Sequence, residues 1–269
     1  MRYKLIISDF DDTLLRSDNT VSKRTVDAIR DYTAAGGVFT ISSGRMCSSL
    51  LDRLPELGLD KISIPLMGLQ GSVVMDNLTG KKLFEKHVPN DVALKLANEC
   101  ALQDVYYQVY VDDKLYISKE DEFSRMYCRV SNVPAYEAGD LKEFIRRTDK
   151  PCQKLLAIAE PAHADRLVEQ LSARYPSVLF HTSHPAFVEM VNAEAGKGNA
   201  ARFVAARLGI GMDEVMGIGD GLNDLSLIRA AGMGVAVKNA RPALKAAADY
   251  VSEYTNDEDA VARLIEQYG

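Results

Sequence analysis

The sequence predicts an α/β protein: a doubly wound parallel-sheet core interrupted by an inserted α+β module. Three observations predict it. Short apolar runs alternate with helical patterns through the first third of the chain and again after Gly196. Between them, from about Val88, the pattern changes to antiparallel hairpins interspersed with helices, the mark of a separate α+β unit. The apolar runs at both ends stop abruptly in carboxylates or glycines, the place where parallel sheets present ligands. The expected division is 1–87 and 190–269 for the core and 88–189 for the insert, with no Pro/Gly/Ser-rich linker at either join.

Leu5-Ile6-Ile7 reads as a buried strand ended by Asp9-Phe10-Asp11-Asp12. A helix follows, with Ser22 suited to its N-cap, Val21 and Val26 placed as a hydrophobic staple, Val26, Ile29 and Thr33 on one face, and Gly36-Gly37 as its stop. Val38–Ile41 is the next strand, ending in Ser42-Ser43-Gly44-Arg45, and short apolar stretches lie at Ile62–Leu66 and Ser72–Met75. In the insert, Asp91–Ala101 is helical and Val105–Ile117 alternates about a turn at Asp112-Asp113-Lys114. Leu155–Ala159 is a strand and Ala162–Arg174 a helix; Val178–Thr182 and Phe187–Val191 form a second hairpin turning at His184-Pro185. The core rhythm then returns: a helix to Leu208 ended by Gly209, a strand Val215–Ile218 ending in Gly219-Asp220, a helix Leu225–Ala231 and a strand Gly234–Val237. Pro242 opens a short helix and Asp257–Gln267 is the last.

At 269 residues the chain is long enough for two domains. Its 32 Lys+Arg against 38 Asp+Glu give a net charge of −6, so its far field repels nucleic acid and anionic membranes. No stretch approaches the roughly 18 apolar residues of a membrane span, and the N-terminus does not read as a signal peptide. Cys47, Cys100, Cys128 and Cys152 lack ligand-like spacing, so the expectation is free, mostly buried thiols in a reducing cytoplasm.

Four elements carry candidate chemistry. In Asp9-Phe10-Asp11-Asp12-Thr13, residues i and i+2 of an extended strand share a face, so Asp9 and Asp11 can converge on one ligand. Two such carboxylates repel, and a hard cation such as Mg²⁺ relieves them; a solvated acidic turn is the plain alternative. Ser42-Ser43-Gly44-Arg45 can offer a hydroxyl and loop amides to an oxyanion, or be a simple turn. Gly196-Lys197-Gly198 sets a point charge between two glycines before a helix. In Gly219-Asp220-Gly221-Leu222-Asn223-Asp224, Asp220 and Asp224 can address one ion, or act as first-turn acids that favour the helix dipole.

In this order, each at a strand end or opening a helix, these elements resemble the four motifs of the haloacid dehalogenase superfamily. Asp9-x-Asp11-x-Thr13 resembles the first motif, Ser43 the second, Lys197 the third and Gly219-Asp220-x-x-Asn223-Asp224 the fourth. The insert resembles a type IIB cap, and Gly234-Val235-Ala236-Val237-Lys238-Asn239-Ala240 is similar to the Cof-type phosphatases. The resemblance implies a Rossmann-like core and a phosphatase acting on a small phosphorylated metabolite, a sugar phosphate above all. It implies Asp9 as nucleophile and Asp11 as general acid and base. Mg²⁺ would be held by Asp9, the Asp11 carbonyl and Asp220, with Asp224 beside them. Ser43, the Gly44 amide and Lys197 would hold the phosphoryl oxygens, and Asn223 would position the phosphoryl group or Asp220. A phosphosugar mutase is the alternative activity, and a non-catalytic phospho-ligand binder a third reading.

The chain departs from the family pattern at Asp12, where Gly is usual, at Gln70-Gly71-Ser72 for Asn-Gly-Ala, and at Ala260 for Gly. Asp12 must therefore avoid positive φ or bear its strain. Gln70 and Arg45 are candidates for substrate contact, Arg45 equally for a surface salt bridge. His181 and His184 read as loop histidines or substrate contacts. Tyr106, Tyr107, Tyr110 and Tyr116 read as packing a sheet face against helices, with a ceiling over a sugar as the other possibility.

Overall fold

A computed structural model describes residues 2–269. The chain forms two compact units: one runs to Glu85 and resumes at Gly196, the other is Lys86–Ala195. These joins differ from the expected 87/88 and 189/190. The last insert strand carries its pairing on to Asn192, opposite Val178, and Lys86 pairs with Glu194, so the chain stays with the insert up to Ala195.

The first unit is built from β1 (Leu5–Asp9), α1 (Lys23–Ala34), β2 (Val38–Ser42), α2 (Cys47–Arg53), β3 (Leu66–Gly68), β4 (Val73–Met75) and β5 (Lys82–Glu85). The insert supplies α3 (Asn90–Leu102), β6 (Tyr106–Val111), β7 (Lys114–Ile117), α4 (Glu122–Ser131), β8 (Ala135–Glu137), α5 (Leu141–Arg147), β9 (Cys152–Ile158), α6 (Pro161–Arg174), β10 (Val178–His184) and β11 (Phe187–Asn192). The first unit then closes with α7 (Lys197–Leu208), β12 (Val215–Gly219), α8 (Leu225–Ala230), β13 (Met233–Ala236), α9 (Pro242–Lys245), β14 (Tyr250–Val251) and α10 (Ala260–Tyr268).

The core sheet has the order β14-β13-β12-β1-β2-β3-β4-β5, parallel from β14 to β3 and antiparallel in its last two pairings. β1 is buried along its whole length, as expected of an apolar run at the centre of a sheet covered on both faces. Leu5 and Ile7 pack with Ala201, Val204 and Leu227 of α7 and α8. Parallel registry brings the ligand-presenting ends level: Asp9 opposes Ser42, and Ser8 opposes Ile218, two residues before Asp220.

The α1 cap forms as expected, Thr25 N donating to Ser22 Oγ at 3.1 Å. Its buried face ends on Tyr32 rather than Thr33, whose hydroxyl donates back to the Ile29 carbonyl. The stretch Ile62–Leu66 is mostly loop, and the strand there starts only at Leu66; β5 was not anticipated.

The insert sheet has the order β10-β11-β9-β6-β7-β8. The helices α3, α5 and α6 pack on one face through Val109, Leu155, Ala157, Val188 and Met190. The β6–β7 turn at Asp112 and Asp113 has both central residues at positive φ (50° and 57°), matching the twist of a two-residue hairpin. The tyrosines do not share one face. Tyr107 and Tyr116 pack toward the helices, while Tyr106 stacks on Phe123 of α4 and the Tyr110 hydroxyl bonds to that of Tyr127. Strand alternation sends them to opposite sides. His181 and His184 sit in β10, His184 against the Phe187 ring. None of the four cysteines is in a disulfide among the described residues. No helix among the described residues is long and apolar enough to cross a membrane.

Candidate active site

Asp9 ends β1 almost wholly buried, and its Oδ1 accepts from the Lys197 ammonium at the start of α7. Lys197 is itself fully buried and donates at 2.5 Å to Asp224 Oδ1. The other Asp224 oxygen accepts from the backbone N–H groups of Asp220 (3.1 Å) and Gly221 (3.0 Å). Gly219 makes this possible: a Cβ there would lie 2.5 Å from the Asp224 carboxyl carbon. Thr13 Oγ1 donates to Asp220 Oδ1 at 2.9 Å, tying the loop after β1 to the loop after β12.

Charge in this cluster is unbalanced. Burial pushes the Asp9 carboxyl well above its ordinary range; Asp224, Asp220 and Asp11 push the same way, and Lys197 opposes them. Burial, then the charge of Asp224, pushes Asp220 up to about 7 despite the Thr13 hydrogen bond. Burial alone would discharge Lys197, but Asp224 and Asp9 outweigh it and hold the ammonium charged. Asp9, Asp220 and Asp224 each place a carboxylate oxygen within 4.8 Å of the others. An all-oxygen donor set, buried at Asp9 and Asp224 and half-buried at Asp220, with three formal negative charges against one lysine fits a hard divalent cation.

The Ser43–Arg45 loop follows β2. Ser43 is buried, and its Oγ accepts from the Arg45 N–H at 3.1 Å; the half-buried Gly44 lies between them. The Arg45 guanidinium grips the Asp11 carboxylate, Nε donating to both oxygens (3.2 and 3.0 Å) and Nη2 to Oδ1 (2.8 Å). Arg45 thus pairs with the second aspartate of the first motif, whose side chain is 44% exposed. Asp11 accordingly contributes no carboxylate to the metal-compatible cluster. Asp12 adopts φ 56°, ψ 7°, a left-handed conformation that Asp tolerates better than most residues. Gln70 is fully buried with φ 58°, and its Oε1 accepts a long hydrogen bond (3.4 Å) from Asn223 Nδ2.

The structure therefore gathers Asp9, Lys197, Asp220 and Asp224 into one cluster, pairs Asp11 with Arg45, and joins Gln70 to Asn223. In the sequence Thr13 stands out only as the end of the first motif, through its spacing from Asp9. The sequence pattern of the haloacid dehalogenase-like hydrolases matches residues 6–265. The chain belongs to that family. It is 27% identical to a Bacillus subtilis protein named phosphatase YwpJ, over 97% of this chain and 98% of the relative. It is equally similar (27%, 98% and 97%) to a second protein of that organism, the 5-amino-6-(5-phospho-D-ribitylamino)uracil phosphatase YwtE. A solved structure from Thermotoga maritima superposes with TM-score 0.84 at 30% identity, covering 99% of this chain and 98% of that one. As a member of this phosphatase-rich family, the protein is a phosphoric monoester hydrolase.

Proposed function

We propose that the protein is a Mg²⁺-dependent phosphatase that hydrolyses a small phosphorylated metabolite, a sugar or sugar-alcohol phosphate, through an aspartyl-phosphate on Asp9. The observation that carries this reading is the buried Asp9 at a parallel strand end, paired with Lys197 and clustered with Asp220 and Asp224. The substrate class is supported by two relatives at 27% identity named for a phospho-ribitylamino compound.

In this reading an Asp9 carboxylate oxygen attacks phosphorus, and the bond from phosphorus to the ester oxygen breaks. The departing oxygen takes the proton of the Asp11 carboxylic acid. The resulting Asp11 carboxylate then takes a proton from water as that water attacks phosphorus, and the phosphorus–Asp9 bond breaks to release phosphate. Lys197, Ser43, the Gly44 amide and Asn223 hold the phosphoryl oxygens. Lys197 is pre-set for this because its charge is sustained by two carboxylates at a fully buried position. Asp9, the Asp11 carbonyl, Asp220 and Asp224 would hold the Mg²⁺, which when bound neutralises charge on the phosphoryl group.

Phosphate release from a panel of sugar and sugar-alcohol phosphates, with Mg²⁺ and with EDTA, tests the reading alongside Asp9→Asn. The expected result is Mg²⁺-dependent release that Asp9→Asn lowers on the order of 10³-fold or more. Turnover that survives in Asp9→Asn would overturn the nucleophile, and turnover in EDTA the metal.

A further inference from the structure

We propose that Asn239 is a positioning residue for the metal centre: from the loop after β13 it sets the spacing between the Asp11 carbonyl and the Asp220 carboxylate, and with it the preference for a small cation. The inference deepens the proposed function and rests on its assignment of those two groups as ligands.

The two groups sit on different loops, and one short stretch, from Val237 to Arg241, is bonded to both. On one side the Arg241 N–H donates to the Asp220 carbonyl at 2.9 Å and the Val237 N–H to the Gly219 carbonyl at 3.1 Å. On the other side Asn239 Nδ2 donates to the Asp12 carbonyl at 2.8 Å. The Asp11 carbonyl belongs to the peptide group that joins Asp11 to Asp12, so it moves with the Asp12 backbone. Thr13 orients the Asp220 carboxylate by its side chain; Asn239 sets the separation of the two backbones that carry the ligands.

The stretch is itself anchored. The Ala240 N–H donates to the Val237 carbonyl and the Lys238 N–H to the Tyr254 carbonyl, both at 2.9 Å. Asn239 Oδ1 accepts from the Asn256 N–H at 3.0 Å. That bond decides which way the Asn239 amide points: with its oxygen on a backbone donor, its nitrogen must face the Asp12 carbonyl. Asn256 is only 6% exposed, and its Nδ2 donates to the Leu15 carbonyl at 2.9 Å. The Phe10–Leu15 turn, closed by the Leu15 N–H on the Phe10 carbonyl at 2.8 Å, is thus gripped at Asp12 and again at Leu15. Asn239 lies at the surface, so it is its two committed bonds rather than burial that fix it.

The role has a signature that general loosening lacks. Mg²⁺ demands near-ideal octahedral geometry at short distances, whereas Ca²⁺ accepts longer bonds and irregular ligand sets. Loops kept at one separation favour the smaller ion, and loops allowed to drift lose that preference before they lose cation binding. Thermal unfolding of the full chain over a range of Mg²⁺ alone, and of Ca²⁺ alone, yields each dissociation constant without substrate or turnover. The readout is the ratio of the Ca²⁺ to the Mg²⁺ constant, and the melting temperature in EDTA reports the fold by itself. Asn239→Ala should lower the ratio about tenfold, the lower end of the cost of losing a group that orients a metal ligand. Asn239→Asp keeps the acceptor for the Asn256 N–H and loses only the donor, which guards against a folding failure of the first variant. Its added charge attracts both cations alike and cancels in the ratio, which should fall in the same direction. Ser17→Ala cuts a neighbouring tie, from Ser17 Oγ to Asp257 Oδ2 at 2.7 Å, and should leave the ratio unchanged. A wild-type ratio in both Asn239 variants, or an equal fall in Ser17→Ala, overturns the positioning role and leaves the metal reading standing. A wild-type protein whose melting temperature neither cation moves sinks the metal reading and the inference with it.

Discussion

At the scale of single residues, the site is governed by how each buried charge is compensated. Asp9 and Asp224 share Lys197, whereas Asp220 has the Thr13 hydroxyl and a raised protonation range as its means of lying beside them. The Thr13 bond lowers that range, keeping Asp220 closer to the ionised form a metal requires. Thr13→Val removes the donor with little change of volume. It should raise the Mg²⁺ concentration for half-maximal activity by about 10- to 100-fold, the usual cost of losing a group that orients a metal ligand, with kcat recovered at saturating Mg²⁺. A metal requirement that stays at the wild-type concentration would mean that Thr13 does no more than join two loops. Strand-end carboxylates and a glycine-flanked lysine mark Asp9, Lys197, Asp220 and Asp224 as candidates, and it is their order along the chain, resembling the haloacid dehalogenase motifs, that joins them into one site. The bonds from Thr13 to Asp220 and from Arg45 to Asp11 were not legible. They span 207 and 34 residues and depend on strand registry, which composition and spacing do not encode.

At the scale of elements, the legible parts were those with a strong period or a marked terminus. α1 announces itself through Ser22, and the β6–β7 hairpin through an alternation broken by two aspartates that accept positive φ. α4, β8 and α5 went unread. The α4 cap is reciprocal between Asp121 and Ser124 rather than the usual Ser/Thr with Glu, and the helix carries β-branched and aromatic residues that read equally as strand. β8 has three residues and α5 seven, too short for a period to show. Close packing also sets what an element tolerates. Gly198 lies in the first turn of α7, directly against α8, where a Cβ would come within 2.3 Å of the Ser226 carbonyl oxygen. Backbone cannot rotate out of the way as a side chain can. Gly198→Ala should therefore destabilise by about 1–3 kcal/mol, the usual cost of overpacking, although alanine favours helices. A lowered melting temperature in thermal unfolding checks this; a melting temperature equal to or above wild type would show that α7 shifts without cost.

At the scale of the whole molecule, the acidic site couples folding to protons and, on the proposed reading, to metal. Asp220 titrates near 7 in the folded protein against an ordinary value near 3.8, and Asp9 is displaced in the same direction. Between those limits the folded state holds protons that the unfolded chain has released. The contribution of Asp220 to stability is thus complete below about pH 4 and is lost as pH rises through about 7, and Asp9 acts in the same direction. A divalent cation acts in the opposite sense, because it binds the ionised carboxylates and only where the fold assembles them. At pH 5 protons compete for the cluster and added Mg²⁺ should move the melting temperature little. At pH 8 Asp220 is ionised, and on the proposed reading Mg²⁺ at about 100 times its dissociation constant should add about 2.7 kcal/mol, or about 5–10 °C for a chain of this size. Other acids complicate a simple melting curve: Asp18, Asp27, Asp76, Asp140 and Asp257 are held below their ordinary range by hydrogen bonds, so their contribution falls away at low pH. The difference between Mg²⁺ and EDTA at each pH cancels them and isolates the cluster. A shift of equal size at pH 5 and pH 8 would place metal binding on groups other than Asp220, and no shift at pH 8 would overturn the proposed cation at the three carboxylates.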